Sequence, residues 1–148
     1  MIHPVPFAAE HFRRMKLQTA QERFVRYVTD EQLKLLEGPH SFTLMEDAAP
    51  LICTGAWQLW HNRAYVWAFV AGDITPYTFG EVHRYARSFL TALPFRRLEM
   101  AVDVDFENGH RWAKAMGFWL ETPKPMKAFH ADGRDAMLYA RINEVAYG

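Results

Sequence analysis

Residues 64–104 decide the fold, and they read AYVWAFVAGDITPYTFGEVHRYARSFLTALPFRRLEMAVDV. The hydrophobic period changes twice along this stretch. Residues 64–71 are apolar on both faces, which is typical of a strand at the centre of a sheet. Residues 79–93 then carry apolar side chains at helical spacing, and residues 98–104 alternate between apolar and polar as a strand does. The stretch therefore predicts two parallel strands joined by a crossover helix.

The chain before this stretch predicts a helical region followed by an antiparallel meander. Residues 41–46 and 51–60 have strand patterns and lead directly into the strand at 64–71. Residues 2–7 contain two prolines, so a strand there is expected at the edge of the sheet. Residues 8–28 are rich in helix formers, with apolar residues at roughly helical spacing, and predict one long or two short helices.

Two capping boxes indicate where helices begin. Thr29 and Gln32 stand three residues apart before one helix, and Thr78 and Glu81 stand three residues apart before another. In such a pair the hydroxyl and the longer side chain satisfy free backbone amides of the first turn. The second box predicts that the crossover helix begins at Phe79.

The C-terminal part of the chain predicts a short helix and the last strands. A helix over residues 109–116 is expected to close at Gly117 in the left-handed conformation, which glycine adopts without strain. Residues 118–121 and 126–130 predict strand pieces, and residues 136–142 predict the final strand. The element order is β, αα, βββ, α, β, α, ββ, which indicates an α+β fold with a mixed, mostly antiparallel sheet of six to seven strands and helices on both faces.

Composition narrows the class of protein. The 148 residues are half hydrophobic and carry 17 basic and 17 acidic side chains, so a single domain over residues 1–148 with zero net charge is expected. Zero net charge argues against specific nucleic-acid binding. Cys53, the only cysteine, stands in an apolar run and is predicted to be a buried small hydrophobe. A single cysteine allows no intrachain disulfide, which suits the expected cytoplasmic location. We also expect no signal peptide and no membrane span.

Other catalytic and metal-binding patterns are missing from the sequence. The seven histidines show no metal-ligand spacing, so no metal site is predicted. No nucleophile elbow, P-loop or dinucleotide fingerprint is present. The five tryptophans are expected to pack in the core and on the sheet rather than to form a base-stacking platform.

The element order, together with the sequence RWAKAMGF at residues 111–118, resembles the GNAT superfamily of acetyl-CoA-dependent N-acetyltransferases. Residues 50–90 resemble in particular a phage branch of GNAT-like proteins that includes internal virion protein A of short-tailed phages. The resemblance implies a V-shaped splay between the fourth and fifth strands. For a phage-encoded member it also implies the host cytoplasm or the virion as location.

The resemblance also implies where acetyl-CoA would bind. Its pantetheine arm would pair with the backbone at the end of the fourth strand, and its diphosphate would lie on free amides at the start of the following helix, where the helix dipole favours anions. In this sequence the implied binding residues are Phe69, Val70, Ala71, Thr78, Phe79, Gly80 and Arg84.

Two departures from the family pattern weaken this expectation. The phosphate loop of the family has an arginine or glutamine followed by spaced glycines, whereas DITPYTFG at residues 73–80 keeps only Gly80. Pro76 removes an amide and Asp73 adds a negative charge, so we expect weak or absent acetyl-CoA binding. Ala113 stands where the family carries a catalytic tyrosine, which leaves Tyr77 and His110 as candidate acids.

Three carboxylates near the end of the fifth predicted strand are further candidates. Asp103, Asp105 and Glu107 alternate, so all three could face one way. Asp103 or Asp105 would then serve as a general base or hold an acceptor amine. Two alternatives stay open, namely solvent-facing charges at a sheet end and a D-x-D metal site.

The sequence leaves two functions open. The first is a GNAT-type acyl-CoA-dependent N-acyltransferase, with acetyl-CoA and an amine acceptor as partners. The second is a non-catalytic protein that keeps the fold as a scaffold, such as a phage virion component or a host-protein binder, with a protein partner. The intact order of elements favours the first and the two departures favour the second.

Overall fold

Residues 1–144, which the computed structural model describes, form seven strands and five α-helices. The strands are β1 (Ile2–Pro6), β2 (Ser41–Glu46), β3 (Ala49–Trp60), β4 (Arg63–Val70), β5 (Arg97–Asp103), β6 (Trp119–Leu120) and β7 (Ala136–Ile142). The helices are α1 (Ala9–Arg14), α2 (Thr19–Glu22), α3 (Asp30–Leu36), α4 (Pro76–Ala92) and α5 (Glu107–Ala115), and a 3-10 turn spans Val25–Tyr27.

All seven strands belong to one sheet, in the order β1-β2-β3-β4-β5-β7-β6. The pairs β1–β2, β2–β3, β5–β7 and β6–β7 are antiparallel, whereas β4–β5 is parallel. The predicted α+β class with a mixed, mostly antiparallel sheet is therefore confirmed. The proline-containing β1 lies at an edge, where a missing amide donor costs no ladder hydrogen bond. The apolar β4 is the central strand.

The parallel pair confirms the crossover that residues 64–104 predict. Its register runs over three residue pairs, from Arg63↔Arg97 to Tyr65↔Glu99. Parallel neighbours need a long connection, and α4 supplies it here. The divergence of the two strands beyond these pairs stays a prediction.

Two compact units can be distinguished in the chain. The first comprises Met1–Trp57 and Trp67–Ala86, and the second comprises Gln58–Val66 and the chain from Arg87 onward. Each unit is therefore built from two separate segments. The single domain expected over residues 1–148 remains a prediction.

The first unit packs around a cluster of buried apolar side chains. Its members are Phe7, Phe12, Met15, Leu17, Leu33, Cys53 and Ala71. Aromatic edges and faces meet within it, because the ring centroid of Phe7 lies 5.1 Å from that of Trp67 and the ring centroid of Phe12 lies 4.7 Å from that of Phe69. Burial raises the pKa of the Cys53 thiol to about 12, so Cys53 is an inert core residue, as predicted.

The second unit has buried charge beside its apolar core. The alternation along residues 98–104 predicts a strand with one buried face, and this prediction is wrong for β5, because polar residues of the other face are buried as well. Glu99 is only 6% exposed, on a strand that lies between β4 and β7. The carboxylate accepts hydrogen bonds from Arg63 Nε at 2.6 Å and from Arg97 Nε at 2.7 Å. Burial alone would raise the pKa of Glu99, but these two guanidinium groups outweigh it and hold the pKa below its ordinary value.

Several local predictions can be compared with the structure. The Thr29 capping box is confirmed, since Gln32 N donates to Thr29 Oγ1 at 3.1 Å and Thr29 N donates to Gln32 Oε1 at 3.0 Å. Gly117 has the predicted left-handed conformation, with φ of +89°. The strand expected over residues 126–130 is wrong, because Met126 makes only an isolated bridge to β7 and a turn follows it.

No helix within residues 1–144 is both long enough and apolar enough to cross a membrane.

Candidate functional site

The helix that follows β4 begins earlier than predicted. α4 starts at Pro76, and Thr75 is its cap, because Thr75 Oγ1 accepts a hydrogen bond from Thr78 N at 3.2 Å. The capping box predicted at Thr78 is therefore wrong. Proline suits the first helical position, where its missing amide would have no partner and its fixed φ is already helical. Tyr77, Thr78, Phe79 and Gly80 consequently lie inside the first turns of α4.

Gly80 lies within helix α4, and no neighbouring atom requires a glycine at this position. A Cβ atom built on Gly80 meets no heavy atom within 4 Å. Tyr77 and Arg84 lie three residues before it and four residues after it, so all three share one face of α4. Both side chains are exposed, and Tyr77 is 84% exposed. This face offers an aromatic ring, an open stretch of backbone and a guanidinium group to a ligand.

β4 ends at Val70, one residue before the predicted end at Ala71, and its backbone there is already hydrogen bonded. Ala71 N donates to Leu51 O of β3 at 2.9 Å. Val70 bonds on the opposite edge, where its N donates to Gln21 Oε1 at 2.8 Å and its O accepts from Gln18 N at 2.9 Å. The Phe69 ring packs against the core of the first unit. The backbone groups of Val70 that an added strand would use are therefore engaged within the chain.

The three carboxylates do not lie together on one strand. β5 ends at Asp103, Asp105 lies in the turn that follows, and Glu107 opens α5. The expectation that all three face one way fails, because the chain leaves the extended conformation after Asp103. Asp103 is buried, with an oxygen 3.5 Å from Nη1 of Arg134, whereas Asp105 is exposed.

His110 on α5 is held by two partners in the second unit. Its Nε2 lies 2.9 Å from Val104 O, and its Nδ1 lies 2.8 Å from the hydroxyl of Tyr139. A carbonyl oxygen can only accept, so Nε2 carries the proton, and in the neutral ring Nδ1 accepts the proton of Tyr139. Burial raises the pKa of Tyr139, and the charge of Glu107 raises it further. Tyr139 thus keeps its proton, and the carbonyl of Val104 fixes the tautomer of His110.

Ala113, where the sequence resemblance implies a tyrosine, is enclosed by packing. Ala113 is fully buried on α5, so this residue offers no group to a substrate.

Sequence reasoning did not identify Gln18, Gln21 or Tyr139 as site residues. Gln18 and Gln21 have the i, i+3 spacing of one helix face, but only the fold shows which strand they reach. Tyr139 has no local pattern that could have indicated its role.

Within residues 1–144 no group of three or more histidine, cysteine, aspartate or glutamate side chains is placed to hold a metal ion. The alternating aspartates predicted as one alternative for a D-x-D site are separated by the end of β5.

Comparison with known proteins identifies the fold. Neither a protein-family model nor a curated protein sequence matches the chain at a significant level. Solved structures do match over nearly the whole chain. The ribosomal-protein-S18-alanine N-acetyltransferase of Escherichia coli superposes with a TM-score of 0.72 at 14% identity, covering 99% of this chain and 97% of the enzyme.

Two further solved structures agree with this match. A GNAT-family acetyltransferase from Bacillus anthracis has a TM-score of 0.70 at 11% identity, with 95% of this chain and 94% of that one covered. Ard1 from Thermoplasma volcanium has a TM-score of 0.69 at 13% identity, with 97% and 98% covered. At such low identity these likenesses bear on the backbone alone. The chain has the fold of the GNAT-family acetyltransferases.

Proposed function

We propose that the chain is a GNAT-type N-acyltransferase that uses an acyl-CoA, with acetyl-CoA as the simplest donor. The observation that carries the proposal is Gly80. A glycine inside a helix costs about 0.8–1 kcal/mol relative to alanine, and no neighbour within 4 Å requires it here. Close approach of a ligand to the helix backbone gives this glycine a reason, as it does in phosphate-binding turns.

Different residues of the first unit would bind different parts of the proposed ligand. Thr78, Phe79 and Gly80 in the first turns of α4, with Arg84 one turn on, would hold the diphosphate. Arg84 suits that role because a guanidinium group binds phosphate oxygens in a bidentate manner. The backbone of Phe69, Val70 and Ala71 would hold the pantetheine arm.

The phosphate end of the proposed site is poorly provided with donors. Pro76 has no amide proton, and the amide of Thr78 is already taken by Thr75 Oγ1. Asp73 is exposed and brings a negative charge to the loop. We therefore propose weak binding of acetyl-CoA, with a dissociation constant well above the low micromolar range.

The proposed chemistry needs two proton transfers. The amine nitrogen attacks the thioester carbonyl carbon, the C–S bond breaks, one group removes a proton from the amine and another protonates the thiolate. Among the proposed catalytic residues, the exposed Asp105 suits the base better than the buried, arginine-paired Asp103. Tyr77 is the exposed candidate for the acid, whereas His110 already donates its Nε2 proton to Val104 O.

Calorimetric titration with acetyl-CoA near physiological salt tests the proposal. We expect binding that weakens about tenfold or more in Arg84→Ala, because each charge-assisted contact is worth about 1.5–3 kcal/mol. Arg87→Ala is the matched control. Arg87 lies on the same helix, and its Nη1 already donates to Ala115 O at 2.5 Å, so its loss should leave affinity unchanged. Absence of heat at millimolar acetyl-CoA would count against an acyltransferase.

A second candidate function is a non-catalytic scaffold, such as a phage virion component or a host-protein binder. The observation that favours it is the closed edge of β4, where Gln18 and Gln21 hold the backbone of Val70. The sequence resemblance to the phage GNAT-like branch supports it as well, and would place the protein in the host cytoplasm or the virion. A protein that binds no acyl-CoA and acetylates no amine, yet stays folded, fits this candidate.

A further inference from the structure

Residues 16–22, called the strap below, lie along the edge of β4 that faces away from β3. Leu17 forms an antiparallel bridge with Ala71. On either side of that bridge Gly72 N donates to Lys16 O and Gln18 N donates to Val70 O, both at 2.9 Å. The strap thus begins as a very short added strand at the end of β4.

The side chain of Gln21 extends this pairing by one step. Its Nε2 donates to Ala68 O at 2.7 Å, and its Oε1 accepts from Val70 N at 2.8 Å. A side-chain amide carries one acceptor and one donor group, as a peptide unit does, so it can replace the peptide of a neighbouring strand. Gln18 Nε2 adds a hydrogen bond to the same Oε1 at 3.2 Å. Four backbone groups between Ala68 and Gly72 are satisfied in this way.

The strap is firmly anchored at its start and weakly held afterwards. Leu17 is 5% exposed within the apolar cluster of the first unit. The helix α2 that follows has only four residues, none of them buried, and no side-chain cap. Segments with few buried contacts open at a low free-energy cost. Release of residues 18–22 would therefore leave the core intact.

The close contact at Gly72 shows that the sequence accommodates the strap. A Cβ atom on Gly72 would lie 3.2 Å from both Gln18 Cα and Leu17 O, closer than ordinary van der Waals contact. A larger residue would press the strap away from β4. The pairing is thus supported by a small residue just after β4 as well as by the amide of Gln21.

We propose that Gln21 is an internal gate on the edge of β4. Any extended ligand that carries secondary amides and adds to β4 must first displace the Gln21 amide from Ala68 O and Val70 N. Under the proposed function, on which this inference rests, that ligand is the pantetheine arm of an acyl-CoA. The closed strap reduces the apparent affinity to the intrinsic affinity multiplied by the fraction of time for which the edge is open. The gate therefore acts with the poor phosphate loop to make binding weak.

The variant Gln21→Ala tests the gate. It removes both side-chain hydrogen bonds to β4 and leaves the backbone pairing of Lys16 and Gln18 in place. We expect acetyl-CoA to bind about tenfold more tightly, since one or two neutral hydrogen bonds no longer compete. Gln18→Ala is the matched control, because it removes only the contact to Gln21 Oε1, and we expect a change of at most about threefold.

A measurement without ligand tests the same contact independently. Amide hydrogen exchange at Val70 should be slow in the native chain and faster by about tenfold in Gln21→Ala. Gln21→Glu provides a second variant, because its carboxylate accepts from Val70 N but repels Ala68 O. Exchange of the Val70 amide should therefore increase less in Gln21→Glu than in Gln21→Ala. Urea unfolding verifies that both variants fold.

The outcomes separate the gate from the proposed function. Equal acetyl-CoA affinity of the native chain and Gln21→Ala would overturn the gate and leave the acyltransferase standing. Tighter binding by Gln21→Ala, with Val70 protected again once acetyl-CoA is bound, would support both. Absence of binding by either protein at millimolar acetyl-CoA would overturn the acyltransferase and the gate together. If Gln21 still protects the Val70 amide in that case, Gln21 covers the edge of β4 permanently and no acyl-CoA displaces it.

Discussion

The substitution Gly80→Ala should stabilise the fold and weaken the proposed ligand at the same time. Gly80 is the fifth residue of α4, whose first residue is Pro76. Alanine is favoured over glycine in a helix interior by about 0.8–1 kcal/mol. The new methyl group meets no atom within 4 Å, so neither a clash nor a burial term changes this figure. We therefore expect the free energy of unfolding to rise by about 0.8–1 kcal/mol, which corresponds to a rise in Tm of roughly 2–4 °C.

Urea unfolding followed by tryptophan fluorescence measures this change through the midpoint of the transition. Gly133→Ala is the matched control, because a Cβ there also meets no atom within 4 Å but φ is +85°. Alanine in that left-handed conformation should lower stability by about 1 kcal/mol. A loss of stability in Gly80→Ala would refute the conclusion that there is free space around Gly80 for a methyl group. Unchanged acetyl-CoA affinity would refute the role of Gly80 in ligand approach.

Three further predictions concern stability. Thr75→Ala should cost about 1 kcal/mol of unfolding free energy by loss of the cap of α4, and Thr78→Ala clearly less, as comparison of their urea midpoints would show. Gly109→Ala should be destabilising by at least about 1 kcal/mol in the same assay, since a Cβ there would lie 2.6 Å from a ring carbon of Phe106. Glu99 has a lowered pKa in the folded chain, so its contribution is complete above the ordinary value of 4.5 and is lost as the pH falls through the folded-state pKa. Stability against pH should therefore fall less steeply on the acid side in Glu99→Gln, and an unchanged acid limb would contradict the ion-pair argument.

Local signals determined where most elements lie but not always where they begin. The sequence pattern at Thr78 with Glu81 indicated a helix start at Phe79, whereas in the structure Thr75 caps α4. Pro76 accounts for the difference, because it fits the first position of a helix better than the loop before one. The structure therefore moved the start of α4 by one turn and placed Gly80 inside the helix.

The alternating pattern of residues 98–104 did not predict that charged side chains of this strand are buried. The alternation along residues 98–104 correctly indicated a strand, yet Glu99 and Asp103 are as buried as their apolar neighbours. Their burial is possible because arginines at positions 63, 97 and 134 lie against them. A period-two pattern reports which residues alternate, whereas the partners that make burial of a carboxylate tolerable come from distant parts of the chain.

The sequence by itself determined the order of elements, the parallel pair and the central place of β4. These follow from hydrophobic period and connection length, which are local properties of the chain. Only the tertiary structure decided the state of the candidate site. Gln21 reaches Ala68 and Val70 across 47 and 49 residues of chain, and nothing near Gln21 in the sequence indicates either partner. A strand's hydrogen-bonding edge is satisfied by whichever amide the fold brings beside it, so its availability to a ligand is settled in three dimensions.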